Sequence, residues 1–409
     1  VAENREGPRL HSLPYLPHFP LSNWQLLVSA ILLLLGYAGG ELSRRLGLPR
    51  VLGYVLVGAA LGDPGLGVIK EGVRNDLHLF IDVGLGMLLY ELGQRLDLDW
   101  MRRERWLWVT AIAEMVLTWL FVFLVLTLMH HTRLESSLLA AVVISSSPVV
   151  VMYMVRDLGA DGQVTSRIVT LTALNSMAAF VISATLLSWV HYSYEGGVPT
   201  VLFHSIYLLI GSFALGLVVF ALYHGLARWF GKADAPQLVL AISMVLLGVG
   251  LADALKLSVL CTLLTVGVLA KNANPRRFIR HIEFGVTAEL FCVILFVSAG
   301  AAWHFTWDGP TLLTAGALIG ARYLGKAIPI YGLAAFTPLG VSRAGLVALG
   351  LTPLSGFTAL LVLDTTNQYH VFAPHLLDVF LSSLVILEIA GPILLQIALL
   401  HARETTPET

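Results

Sequence analysis

Thirteen apolar segments of near-membrane-spanning length recur along this 409-residue chain, and they constrain its fold before any motif is considered. They run over 23–43, 49–65, 77–97, 106–130, 136–156, 164–190, 201–229, 235–253, 258–271, 281–303, 311–336, 343–365 and 373–400. A helix needs about 20 mostly apolar residues to cross the hydrocarbon core of a bilayer. Charged residues make up 12% of the chain, where a soluble domain carries about 25%. The sequence therefore predicts an all-α polytopic membrane protein with about thirteen transmembrane helices.

Charge placement predicts the orientation. Lys and Arg gather on the cytoplasmic side of short loops. With the N-terminus outside, the inner loops collect most of the 25 basic residues, among them Arg44, Arg45, Arg102, Arg103, Arg276 and Arg277. Arg322 and Lys326 fall inside a span. An odd number of spans then leaves the C-terminus in the cytoplasm. Residues 1–22, with Pro8, Pro14, Pro17 and Pro20, read as an extended extracellular segment without signal-peptide character. Residues 23–400 form the transmembrane domain and 401–409 a cytoplasmic tail. The formal net charge of −1 argues against a nucleic-acid partner. Cys261 and Cys292 sit in apolar spans and read as packing residues. The His residues show no metal-ligand spacing, and the glycines of 58–67 follow no strand, so neither a cofactor nor an enzyme activity is expected.

Two segments break helical logic in corresponding places. Span five contains Ser145-Ser146-Ser147-Pro148 and span twelve contains Thr352-Pro353-Leu354-Ser355-Gly356. A proline within a helix removes a backbone donor and clashes with the preceding turn. In lipid, such a break persists only where it is buried in protein or lines a cavity. Paired interrupted helices in the two halves of a chain point to a transporter binding site. A simple Pro kink in each helix is the plainer alternative.

These motifs sit among others with a known likeness. The run Leu46-Gly47-Leu48-Pro49-Arg50-Val51-Leu52-Gly53-Tyr54 through Gly62, the helix Asp82-Val83-Gly84-Leu85-Gly86-Met87, the break at Ser145 to Val149 and the late Glu388-Ile389-Ala390-Gly391-Pro392 follow in order over about residues 40–400. Together they resemble the monovalent cation:proton antiporter superfamily, in its Kef-type and bacterial sodium/proton exchanger branch. The resemblance implies inverted repeats with two crossed discontinuous helices, elevator-like alternating access and a homodimer in the bacterial inner membrane. It also implies a core built from about 106–190 and 281–365, with the remaining helices as scaffold.

The departures concern charge. In the family, the helix after the first break carries a pair ending in the aspartate that binds the ion, and the matching positions here are Asn175 and Ser176. A serine hydroxyl stays neutral and offers one oxygen. The site of Asn175, Ser176 and Lys326 is therefore not expected to bind sodium in the family manner. The Gly-Glu sequence often found in the second break is replaced by Ser355-Gly356-Phe357. Span eleven keeps its base: Lys326 is the closer match to the family lysine, and Arg322 is the alternative. The two are four apart and share a helix face. Either one reaches a partner or cavity, snorkels, or caps carbonyls of the broken helices. Glu114 and Glu289 are acids inside apolar spans that could replace the missing coupling group. Glu91 and Arg95 are spaced for an i,i+4 pair.

Three readings follow. The chain is a solute:proton antiporter with a relocated coupling group; or it carries an anion or neutral solute, bound by Ser145, Ser146, Ser147, Asn175, Ser176, Thr352 and Ser355 beside two uncompensated cations; or it is a non-transporting sensor or partner subunit. In each its surroundings are the lipid bilayer, and its cargo is a small ion or small solute.

Overall fold

The computed structural model describes residues 24–69, 71–195, 198–230, 234–273, 279, 284–354, 362 and 374–405, and these contain no strand. The helices are α1 (Trp24–Arg45), α2 (Arg50–Leu61), α3 (Glu71–Arg95), α4 (Leu98–Arg103), α5 (Arg105–Leu128), α6 (Arg133–Val143), α7 (Pro148–Asp157) and α8 (Gln163–Glu195). They continue as α9 (Val198–Phe230), α10 (Asp234–Ala254), α11 (Val259–Asn272), α12 (Gly285–Ala301), α13 (Gly309–Gly332), α14 (Gly340–Gly350) and α15 (Pro374–Ala402). Each of the thirteen apolar segments contains one of these helices, and 136–156 contains two. Among the described residues, 7 segments are long and apolar enough to cross a membrane, and α2, α11 and most of α12 are shorter apolar helices. The count of thirteen spans thus remains an expectation, while the all-helical membrane architecture is observed.

Helix α5 shows how lipid reverses the usual burial logic. Its inward stripe is Leu107, Ala111, Glu114, Thr118, Val122 and Leu126, all buried, a helical spacing of three and four. Val109, Ile112, Val116, Leu120, Leu124 and Leu128 are exposed. Apolar side chains can face hydrocarbon at no cost, so the polar Glu114 and Thr118 are the ones turned into the protein.

The helices form two groups. In one, α5, α6, α7, α8, α13, α14 and α15 pack together; in the other, α1, α2 and α3 pack with α9, α10, α11 and α12. Helix α3 runs against α7 and α8 where the groups meet. Helix α12, which lies within the expected core range 281–365, packs on α1, α2 and α3.

Within the first group α5 and α13 share the most extensive contact, and Gly325 makes that approach possible. A Cβ at Gly325 would lie 2.4 Å from the Thr118 Cα. Small residues let membrane helices come together in this way. Gly325→Val should push α13 off α5 and separate Lys326 from Glu114, with loss of a monodisperse detergent-solubilised species or a drop in Tm of many degrees. A Tm within a degree of the wild type contradicts this packing.

Candidate functional site

The two breaks meet in the first helix group. Helix α6 stops at Val143, residues 144–147 are non-helical, and α7 starts at Pro148. The first break thus lies slightly earlier than its proline suggested. Pro148 is the first residue of α7, where its missing N–H is one the helix could not use. The Ser147 hydroxyl caps α7 by accepting from Val150 N at 3.3 Å. Helix α14 stops at Gly350, and Thr352, Pro353 and Leu354 are non-helical. Ser355 lies outside the described residues. The breaks are joined directly: Ser147 N donates to Pro353 O at 2.9 Å, and the Ser146 hydroxyl donates to Leu351 O at 3.0 Å.

Two half-helix C-termini, those of α6 and α14, therefore bring unpaired carbonyls into one place. Such ends carry partial negative charge and favour cations. Arg322 of α13, only 1% exposed, supplies one. Its Nε donates to Val143 O at 3.0 Å and its Nη1 to Thr352 O at 2.7 Å. Its Nη2 donates to Ser145 O at 2.8 Å, with Leu351 O and Pro353 O each at 3.3 Å. The guanidinium fork matches this task, since its donors fan out in a plane toward both chains. Of the alternatives open for Arg322, the structure places it as a cap on both breaks.

Lys326, one turn further along α13, is also 1% exposed. Its ammonium donates to Ile144 O at 2.9 Å and to Glu114 Oε2 at 3.1 Å. Glu114 is fully buried. Of the two acids that the sequence offers as stand-ins, Glu114 is the one that α5 delivers to Lys326, which corrects the reading with two uncompensated cations. Glu289 stands elsewhere, on α12, where Tyr54 Oη donates to it at 3.3 Å and Arg50 lies 3.7 Å away.

Ser176 and Asn175 flank the first break from α8. The Ser176 hydroxyl lies 2.7 Å from Ser146 O and 2.9 Å from Thr172 O, so its proton is committed to backbone. Ser176→Ala should remove one hydrogen bond worth about 1 kcal/mol and lower Tm by a few degrees while leaving transport in place. A null transport phenotype in folded Ser176→Ala would contradict this propping role. Asn175 is fully buried, and neither of its amide atoms has a hydrogen-bond partner among the described residues. The same holds for Glu114 Oε1 and for the hydroxyls of Thr118, Ser145 and Thr172. Leaving one such group unpaired costs about 1–3 kcal/mol. Five free oxygens, one of them from a carboxylate, thus sit on α5, α8 and the first break, segments that pack against one another. Oxygen donors of this kind suit a hard cation as cargo.

Sequence reasoning missed Thr118, although it stands one turn from Glu114 on the same buried stripe. It also missed a second polar cluster between the helix groups. Tyr153 Oη of α7 donates to Tyr54 Oη of α2 at 3.1 Å, and Arg50 pairs with Asp157 at 3.0 Å. Glu91, spaced for Arg95, lies 3.8 Å from Arg156 of α7. Cys261 and Cys292 are buried free thiols, as core residues would be.

The comparisons agree with this architecture. The family model described as "Sodium/hydrogen exchanger, transmembrane" matches residues 29–400. A Na(+)/H(+) antiporter of Enterococcus hirae is 23% identical over 361 residues, covering 85% of this chain and 92% of that protein. The iron transporter MagA of Paramagnetospirillum magneticum is 34% identical over 93 residues, 23% of this chain and 20% of that one. Two structures of the sodium proton antiporter MjNhaP1 from Methanocaldococcus jannaschii share the fold. The one at pH 8 has a TM-score of 0.65 at 17% identity, covering 92% of this chain and 95% of that one. The one from electron microscopy has a TM-score of 0.68 at 16% identity, covering 94% and 99%. With the helices, the paired breaks and the match over nearly the whole length in agreement, the chain is an integral membrane protein that belongs to the sodium/hydrogen exchanger family.

Proposed function

We propose that the protein exchanges one monovalent cation for one proton, with the buried pair Glu114–Lys326 in the role of the family aspartate. The observation that carries this reading is the 3.1 Å contact between the Lys326 ammonium and Glu114, beside the Ile144 carbonyl of the first break. With Lys326 protonated, the pair is neutral and closed. Loss of that proton frees the Glu114 carboxylate, which with the unpaired oxygens of Thr118, Ser145, Thr172 and Asn175 can hold a cation. The two loaded forms carry the same net charge, so the exchange is electroneutral.

Isolated charge is costly in the bilayer, and this scheme never moves any. The movement is elevator-like, with the α5–α8 and α13–α15 group sliding on the other as a homodimer. The N-terminus faces outward and the C-terminus the cytoplasm, in a bacterial inner membrane. The reading as an anion carrier required two uncompensated cations. Arg322 is instead occupied by helix-end carbonyls and Lys326 by a carboxylate. Proteoliposomes with a preset pH gradient and an internal pH-sensitive dye test the proposal. Addition of sodium, potassium or lithium should dissipate the gradient; dissipation by small carboxylates alone would favour the anion carrier, and none by any solute the non-transporting subunit.

A further inference from the structure

One intramembrane carboxylate is not used by this scheme. Glu388 stands in the middle of α15, within the apolar segment His375–Ala402. It is half-buried, although its neighbours Leu384, Val385 and Leu387 are buried. Its hydrogen-bond partner among the described residues is the indole N–H of Trp303, in the segment that follows α12. Six residues earlier on α15, Thr306 N donates to the Ser382 hydroxyl at 3.3 Å. The segment 302–308 is thus laid along α15 and joins the two helix groups there.

Glu388 is also close to the breaks. Gly391, three residues on, has its Cα face against Pro353: a Cβ there would lie 2.7 Å from the Pro353 Cα. Three residues of helix rise span about 4.5 Å. The carboxylate therefore lies one turn from the second break, on the side of the 302–308 segment.

Among the described residues, no cation is paired with it. On the elements packed against α15, Arg322 of α13 is spent on carbonyls and Lys326 of α13 on Glu114, Arg50 of α2 faces Asp157, Arg156 of α7 lies by Glu91, and Arg167 of α8 faces Glu104. Arg343 of α14 is exposed, seven residues before that helix ends. On the 302–308 segment, His304 is exposed and turned to Ala302 O, and Asp308 caps α13. On α15 itself, Asp378 is nearly three turns away. A carboxylate in a membrane span whose partner is a neutral donor marks a functional site by its placement.

We propose that Glu388 is a second proton-binding site, set between the 302–308 segment and the second break, and that its protonation regulates movement of α15 against that segment. Indole N–H is a donor only, so it holds the carboxylate form as acceptor. Protonation removes the negative charge that strengthens this bond and leaves one neutral carbonyl oxygen to accept from the indole, so the contact between the groups weakens. The inference rests on the antiport reading only for the movement that is regulated; the proton site stands without it.

Infrared difference spectroscopy on the purified full-length protein in lipid, titrated with acid, tests the site directly. The carbonyl stretch of a protonated carboxylic acid should appear on acidification in the wild type. The component of that band due to Glu388 should be lost from the difference between wild type and Glu388→Gln, which keeps an acceptor for Trp303, and should return in Glu388→Asp. In proteoliposomes, Glu388→Gln should keep cation exchange while losing one limb of its pH profile; a merely structural hydrogen bond would leave both readouts unmoved. A titrating band identical in wild type and folded Glu388→Gln overturns the proposal. Wild type without exchange, but with the band difference present, would overturn the antiport reading and leave this site standing.

Discussion

Glu114→Gln should abolish cation-driven proton movement in proteoliposomes. The substitution removes the only carboxylate at Lys326 among the described residues and leaves its ammonium facing the cation site. Two unit charges 4 Å apart at an effective dielectric of 20 repel by about 4 kcal/mol. That corresponds to roughly a thousandfold weaker cation binding, at about 1.4 kcal/mol per tenfold. The stranded ammonium also costs stability, since removing one partner of a buried pair costs about 3–5 kcal/mol. A folded Glu114→Gln protein that still moves protons at near the wild-type rate would show that the coupling lies elsewhere. Lys326→Gln is the companion test. In the wild type, acid protonates Lys326 and closes the pair, so exchange falls as pH drops through that titration. With Gln in its place, protons can compete with the cation only at the Glu114 carboxylate, and the pH profile of exchange must change. An unchanged profile in a folded, active variant contradicts a role for the amine.

Arg322→Leu should prevent the core from folding. Five backbone carbonyls from both broken helices accept from this one guanidinium. A buried acceptor left without a donor costs about 1–3 kcal/mol, so losing most of these approaches the whole stability of an ordinary domain, about 5–15 kcal/mol. Leucine fills the volume but donates nothing. Arg322→Lys restores the charge with three donors in place of five and should give an intermediate Tm. Size-exclusion chromatography in mild detergent reads both. A monodisperse Arg322→Leu species with wild-type Tm would mean that the carbonyls have other donors.

Most of the fold was legible because lipid imposes a simple rule on the chain. Long apolar segments must be helices, and the two Ser/Thr-Pro clusters had to be buried breaks or kinks. The offset at Pro148 arose because a proline marks either the middle of a break or the first residue after it, and only the capping bond of Ser147 distinguishes them. The grouping of α12 was not legible. An apolar helix of small and branched residues, such as Val293, Val297 and Ala301, carries no label for its neighbour, and close approach to Gly58 and Gly62 of α2 decides it.

At the site, the sequence identified Arg322, Lys326 and Glu114 as charges that required an explanation. It could not pair Lys326 with Glu114, because their 212-residue separation leaves no local spacing to read. With Ser176 where the resemblance implies an aspartate, the sequence alone leaves open whether another acid serves the site or none does. In the structure the charge comes from the neighbouring helix, and Ser176 has become a prop for the break.

The double variant Glu114→Gln/Lys326→Gln tests the central claim most directly. It replaces a buried ion pair with two neutral amides of similar shape, so neither charge is stranded and the protein should fold with a Tm near the wild type. The account predicts that this folded protein, reconstituted in liposomes, no longer dissipates a pH gradient in response to sodium, potassium or lithium. Cation-driven dissipation at the wild-type rate and with the wild-type pH profile would contradict it, and would reduce the pair to packing.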